Sequence, residues 1–430
     1  MPPARYLTAK EAAALLSVKE TTLYAYVSRG LIRSQAVSDT PRQHLYLAED
    51  VQQLAERKAQ RRDPAKAARD ALHWGTPMLD SALTLIADQA LYYRGYDAIR
   101  LAQERSLEEV AALLWTGEME NAAALFATRP QLSGVVQSVI GMHLPPMQCL
   151  QVALALAAAE DLSAYDLRPE AVLHTGARIL WLLAAVAAQR ETPAAAIAGT
   201  LAQAWHPKGE TLLNAALILC ADHELNTSSF AARVVASTDA TPYAAVIAGL
   251  SALCGFKHGG QTERAAAFLR DVGDPSRVPV VIAERLRRGE GLPGFGHRLY
   301  PERDPRAAAL LTLLGDAYPS APGLALAHAV IRAAATVTSG APSIDFALAV
   351  LEQTLQLPAG AGLTLFAIGR TVGWIGHVLE QYQGRRLIRP RARYTGVLPR
   401  FEAPRGAAHG SYASATQSPT TLAGVISPTQ

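Results

Sequence analysis

Cysteine is almost missing from this 430-residue chain: there are three, Cys149, Cys220 and Cys254, all in apolar surroundings. Such an odd, widely spaced set builds neither a disulfide framework nor a zinc site, and it reads as buried free thiols in a cytoplasmic protein. Aromatic residues are scarce at 6%, and alanine supplies much of the 50% hydrophobic content. Alanine favours helix and lets helices approach closely, so a mostly helical, all-α protein is predicted. Long apolar runs are lacking too. The best are Ile179–Ala188, held between Arg178 and Arg190, and Ala244–Phe256, broken by Gly249 and Ser251. Both fall short of the roughly 18–20 apolar residues that cross a bilayer, so no membrane association is expected. Met1-Pro2-Pro3-Ala4-Arg5 leads into no apolar stretch, and a secretory signal is not predicted. Without a P-loop or metal-ligand spacing, neither a metal nor a bound cofactor is expected.

What is present divides the chain by character. Residues 1–70 carry 12 Lys/Arg against 8 Asp/Glu, whereas the remainder carries 28 against 29. A basic head on a near-neutral body directs attention to a polyanion. In the head, Thr8 and Glu11 form a T-x-x-E capping box ahead of Ala12, Leu15 and Leu16. A second helix is predicted over about Glu20–Ser28, stopped by Gly30. A short strand at His44–Leu47 and a third helix from Glu49 follow. This order resembles the winged helix-turn-helix of MerR/excisionase-type DNA-binding domains. The resemblance implies that Lys19, Thr21, Thr22 and Tyr24 lie on or near the recognition helix and that Arg29 and Arg33 meet phosphate. The tail, 401–430, is rich in Ser, Thr, Gly, Ala and Pro, and disorder is expected there.

Within the body, residues 71–400, five segments set ionisable side chains where glycine or proline shapes the backbone. Ala221-Asp222-His223-Glu224-Leu225-Asn226 spaces His223 and Asn226 as if on one helical face. Gly255-Phe256-Lys257-His258-Gly259-Gly260 presents His258 at a helix start, where the dipole favours a neutral imidazole. Pro293-Gly294-Phe295-Gly296-His297-Arg298 is a tight loop, and Asp304-Pro305-Arg306 then caps a helix with an arginine in its first turn. An arginine there gains nothing from the dipole and calls for an anion. Asp345 opens an apolar helix running to about Leu355, and Arg370 lies among Phe366, Ile368, Val372 and Trp374. Arg389 and Arg391 flank a proline in extended chain. Each segment alone has an ordinary structural reading; together, two histidines on glycine-shaped loops, one acid and several arginines suit enolisation and carbonyl addition on a polycarboxylate.

Read in order, A-D-H-E, K-H-G-G, G-F-G-H-R, D-P-R, S-I-D-F, G-R-T-V-G-W and R-P-R-x-x-Y-T-G resemble the citrate synthase family, from about Leu79 to Tyr394. That resemblance implies an all-α homodimer with a large domain and a smaller one, roughly residues 255–355, inserted in it. It implies condensation of acetyl-CoA with oxaloacetate and water, the CoA thioester being a co-substrate and not a bound cofactor. Propionyl-CoA as donor (2-methylcitrate synthesis) and a DNA-binding regulator with a sensor body are the alternatives. By family match Asp345, His258 and His297 are catalytic. His223, Arg306, Arg370 and Arg389 would bind oxaloacetate, with Arg389 reaching the partner subunit's site, and Leu292, Pro293, Gly294 and Phe295 would contact CoA. Two departures stand out: Phe256-Lys257 precedes His258, and Gln261-Thr262 follows the glycines where many members have Ala-Asn.

Overall fold

The computed structural model describes residues 6–16, 18–28, 31–37, 40–48, 50, 51, 54, 79–392 and 394–397. The expected boundary near residue 70, Arg29 and the tail 401–430 lie outside them. By internal contacts the chain falls into two units, Met1–Ile388 and Arg389–Gln430.

The capping box sets the head's first helix, Ala9–Leu16: Thr8 Oγ1 accepts from Glu11 N at 3.3 Å, and Glu11 Oε2 accepts from Thr8 N at 2.8 Å. Glu20–Ser28 is the second helix. The predicted strand proves to be the end of a longer one, Thr40–Leu47, which pairs antiparallel with Ser34–Val37 on one side and Tyr6–Leu7 on the other. Ala12, Ala13, Leu16, Leu23, Ile32, Tyr46 and Val51 close a small core between these elements.

The body opens with a three-stranded meander, Thr84–Ala87, Ala90–Tyr93 and Tyr96–Asp97, and is otherwise helical. With the head, eighteen α-helices are found among the described residues. Their starts are chemically marked: Asp97 and Asn226 accept backbone N–H groups, and Ser106 with Glu109 forms a second capping box. Such caps contribute about 1 kcal/mol each.

Ala361–Gly384 is the spine. It is buried along nearly its whole length and touches the helices Leu107–Thr116, Pro169–Ala187, Glu210–Leu219, Thr227–Ala236 and Pro242–Leu253. By length and mean hydropathy both Pro169–Ala187 and Ala361–Gly384 would suffice to cross a membrane, although neither is an unbroken apolar run; both are instead packed mainly into the core. The helices Gly260–Val272, Val278–Arg287, Pro305–Ala317, Pro322–Ala334 and Ile344–Thr354 pack on one another beside the spine.

Two expectations need correction. His223 and Asn226 do not share a helical face: Asn226 is the N-cap of Thr227–Ala236, and its side chain takes the first backbone N–H groups, so His223 sits in the turn before the helix. Cys254 is exposed, unlike Cys149 and Cys220, because it falls at the C-cap of Pro242–Leu253, where the helix leaves the core.

Candidate active site

Four helix starts and one helix middle converge. Asp304 caps Pro305–Ala317 and holds Arg306 in a fork, Nε to Oδ1 at 3.0 Å and Nη2 to Oδ2 at 2.8 Å. Its Oδ2 also accepts from Ile344 N at 3.0 Å, which ties this corner to the helix that carries Asp345. The arginine in a first turn has thus found its anion two residues upstream. Arg306 is 2% exposed, and its guanidinium lies 5.5 Å from the Tyr300 ring centre.

Arg370, 1% exposed on the spine, is placed differently. Nε donates to Cys220 O at 2.8 Å and the guanidinium stacks 4.9 Å from the Phe366 ring centre. Nη2 is buried without a hydrogen-bond partner. A buried cation so left calls for an anionic ligand.

Histidines fill the space between. His223 Nε2 lies 3.0 Å from Tyr300 Oη, and its ring stands edge-on to that of His297 at 5.2 Å. Burial first, then Arg306 and Arg370, push His223 well below the ordinary imidazole range. His297 Nδ1 accepts Leu299 N–H at 3.2 Å, which leaves the proton of a neutral ring on Nε2. Burial and Arg306 lower His297 to about 4; burial and Arg370 lower His258 to about 4. Both rings are therefore neutral at neutral pH. His258 Nε2 is 2.8 Å from Ser228 Oγ, which also receives the Trp374 indole N–H at 3.3 Å.

Asp345 accepts from Thr262 Oγ1 at 2.6 Å, and burial raises its carboxyl above the usual range. The loop leading to His297 is pinned beside it. Ser343 N donates to Gly294 O and Gly296 N to Ala341 O, both at 2.8 Å, and Phe295 packs on Phe346 at 4.9 Å. At φ +80° and with Phe346 Cβ 2.8 Å from any added Cβ, Gly294 admits no side chain. Leu292 and Phe295 are partly buried in this loop, whereas Pro293 and Gly294 are buried. The string Gly289–Gly294 has G-x-G-x-x-G spacing, but it follows the helix Val278–Arg287 and opens no helix, so it is no dinucleotide fingerprint.

Beneath His223, Asp222 is fully buried. Thr84 Oγ1 donates to its Oδ2 at 2.6 Å, and His377 Nε2 stands 3.2 Å from its Oδ1. Sequence reasoning missed Tyr300, Ser228, Thr262 and His377 as parts of the site. Tyr300 and His377 each lie within three residues of a noted motif residue; Thr262 stands out only as a departure from the family pattern, and Ser228 carried no signal of its own. Arg389 is exposed and belongs to the second unit. In the head, Lys19, Thr21 and Tyr24 are exposed and Thr22 is half-buried, while Arg33 is gripped by Asp50 at 2.9 Å through both Nε and Nη2.

A family model described as the C-terminal domain of citrate synthase matches residues 71–391. The chain belongs to the citrate synthase family. The citrate synthase of Haloferax volcanii is 32% identical over 357 residues, covering 75% of this chain and 94% of the relative. A 2-methylcitrate synthase of Mycobacterium tuberculosis is 31% identical, covering 72% and 86%. Among solved structures, the citrate synthase of Thermotoga maritima superposes with a TM-score of 0.66 at 26% identity, covering 77% of this chain and 96% of that one. A helix-turn-helix domain model matches residues 6–59, so this citrate synthase family member carries a helix-turn-helix head.

Proposed function

We propose that the chain condenses acetyl-CoA with oxaloacetate and water to give citrate and free CoA, with propionyl-CoA and 2-methylcitrate as the alternative pair. The buried, unpartnered Nη2 of Arg370 carries this reading. Beside an Arg306 already neutralised by Asp304, it leaves a guanidinium donor open to an anionic group, and three imidazoles kept neutral by burial line the same space.

Asp345 takes a proton from the acyl carbon next to the thioester carbonyl; its burial makes it a stronger base than a solvated carboxylate. His258 donates to the thioester oxygen. In this reading Ser228 Oγ, which accepts from Trp374, donates to His258 Nε2 at 2.8 Å, and the ring proton on Nδ1 is the one offered to the substrate. A neutral donor there gives an enol and not a bare enolate. His297 offers Nε2–H to the ketone of oxaloacetate, polarising it as the enol carbon attacks and stabilising the alkoxide that forms. Arg306, Arg370 and His223, with Arg389 of the partner subunit, hold the two carboxylates and so select the attacked face. The loop 292–295 borders the CoA chain, and residues of roughly 255–355 act as the smaller domain that closes over it. Water then cleaves the citryl thioester, releasing the thiol.

The test is thiol release from acetyl-CoA and propionyl-CoA, side by side, with oxaloacetate. Turnover with either supports the reading, and the ratio of kcat/KM chooses the donor. One methylene is worth only about 1–3 kcal/mol in such a pocket. A folded dimer with no turnover on both overturns it in favour of a sensor body. The match of the head to helix-turn-helix domains supports a second activity, DNA binding through Lys19, Thr21, Thr22 and Tyr24 with Arg29 and Arg33 toward phosphate. A gel-shift titration in which affinity falls steeply with salt supports it; absence of DNA retention overturns it.

A further inference from the structure

Thr262 stands four residues after His258, in the first turn of Gly260–Val272, and is 1% exposed. Its Oγ1 donates to Asp345 Oδ1 at 2.6 Å across 83 residues of sequence. The other carboxylate oxygen has only a long contact, Ser343 Oγ at 3.4 Å. The methyl group of Thr262 faces Gly362 on the spine. A Cβ built on Gly362 would lie 3.1 Å from Thr262 Cγ2 and 3.3 Å from Glu352 Oε2, so the glycine leaves the room that the Thr262 methyl uses. Glu352 Oε2 in turn accepts Gly362 N–H at 2.9 Å, which holds the spine's first turn at that distance.

We propose that Thr262 is a positioning residue of the enolisation step: from the helix that follows His258 it fixes the Asp345 carboxylate through Oδ1 and leaves Oδ2 as the atom that takes the proton. The inference rests on the condensation reading above and deepens it. It ties the thioester-polarising histidine, in the turn before Gly260–Val272, and the carboxylate base to the same helix start, so that donor and base keep their spacing. A hydrogen bond to the ionised carboxylate also favours the ionised form and opposes the upward push of burial. The other groups that act on this carboxyl are Arg306 and Asp304 from the neighbouring helix start, Cys220 at the end of Glu210–Leu219, and Ser343.

The experiment compares the wild type with Thr262→Val, which keeps the shape and loses the donor, and Thr262→Ser, which keeps the donor. The variant Thr262→Val is expected to lose roughly 10- to 100-fold in kcat, the cost of one hydrogen bond to a charged group. Its KM for oxaloacetate should stay unchanged, its acid limb should move to higher pH, and Thr262→Ser should recover most of kcat. A Thr262→Val protein with unaltered kcat and pH profile overturns the proposal. So does a Thr262→Ser protein as slow as Thr262→Val, since the donor would then be irrelevant. The carboxyl of Asp345 is followed separately by carbon NMR titration, assigned with Asp345→Asn. A higher titration point in Thr262→Val supports the hydrogen bond's role and an unchanged one overturns it, whether or not the wild type turns over. Absence of wild-type turnover with both acyl donors counts against the condensation reading instead.

Discussion

Two arginines of nearly equal burial belong to the candidate site, and their surroundings differ. At the joint start of Pro305–Ala317 and Ile344–Thr354, Arg306 is gripped in a fork by Asp304, which also takes two backbone N–H groups. On the spine, Arg370 has a carbonyl and an aromatic face but no carboxylate against it. Asp222, whose field reaches it, is engaged by Thr84 and His377. One guanidinium is neutralised in advance and oriented; the other keeps its charge for something yet to arrive. The difference teaches that burial alone does not make an arginine structural. An unpaired buried cation costs several kcal/mol, a cost that an anionic substrate would offset.

The sharpest way to break this comparison is to exchange the two losses. Asp304→Asn strips Arg306 of its anion in a water-poor corner, and a stability loss of about 3–5 kcal/mol is expected in chemical denaturation. Arg370→Met removes the cation that has no carboxylate against it. Stability should then fall by less than about 1 kcal/mol, or rise, while kcat/KM for oxaloacetate drops at least roughly 100-fold for want of the charged contact. Equal destabilisation by both substitutions would mean that Arg370 is as structural as Arg306.

The spine's own ion cluster sharpens the contrast through pH. Asp222 and Glu380 flank His377, at 3.2 and 3.7 Å, and their charges outweigh burial to raise its imidazole to about 9 from an ordinary 6.5. A group whose folded value is raised favours the fold when protonated. Its contribution is complete below about 6.5 and is lost as pH climbs through about 9. At about 1.4 kcal/mol per unit the loss is roughly 3 kcal/mol. Thermal melts of the wild type between pH 6 and 10 should show the decline, and His377→Gln should flatten it from a lower starting point. A His377→Gln curve parallel to the wild type would remove His377 as its cause.

Much of this site was legible in the sequence because the chemistry sits on short strings that glycine and proline punctuate. His258, His297, Arg306, Asp345 and Arg370 could be singled out by such neighbours, and the cap Asp304 with Pro305 at the first helical position was readable outright. The head's second helix, Glu20–Ser28, was equally plain from the glycine that follows it in the sequence. What escaped were partners chosen across the fold. Thr262 reaches Asp345 over 83 residues and Ser228 reaches His258 over 30, and a lone threonine or serine gives no sign of what it will face. The spacing of His223 to Asn226 fits a shared helix; Asn226 instead caps the helix that follows, since its side chain competes for the first N–H groups. Cys254 was judged by its apolar neighbours, which cannot tell a helix middle from its exposed end.

The smallest expected effect probes the floor under Arg370 and His223. A Cβ on Gly373 would lie 2.4 Å from Asp222 Oδ1 and 2.5 Å from Ala221 O, so the spine touches the turn before His223 only because that side chain is missing. Gly373→Ala must push the turn away, at a cost of about 1–3 kcal/mol for overpacking. Gly384→Ala, near the spine's end, meets nothing within 4 Å and should gain up to about 1 kcal/mol from helix propensity. The paired substitutions separate helix propensity from contact. A Gly373→Ala protein should also show a raised KM for oxaloacetate, because His223 is carried on the displaced turn, whereas Gly384→Ala should not. If both were equally stabilising, the turn would have room to spare, and the rigid wall against which Arg370 holds its unpaired charge would have to be sought elsewhere.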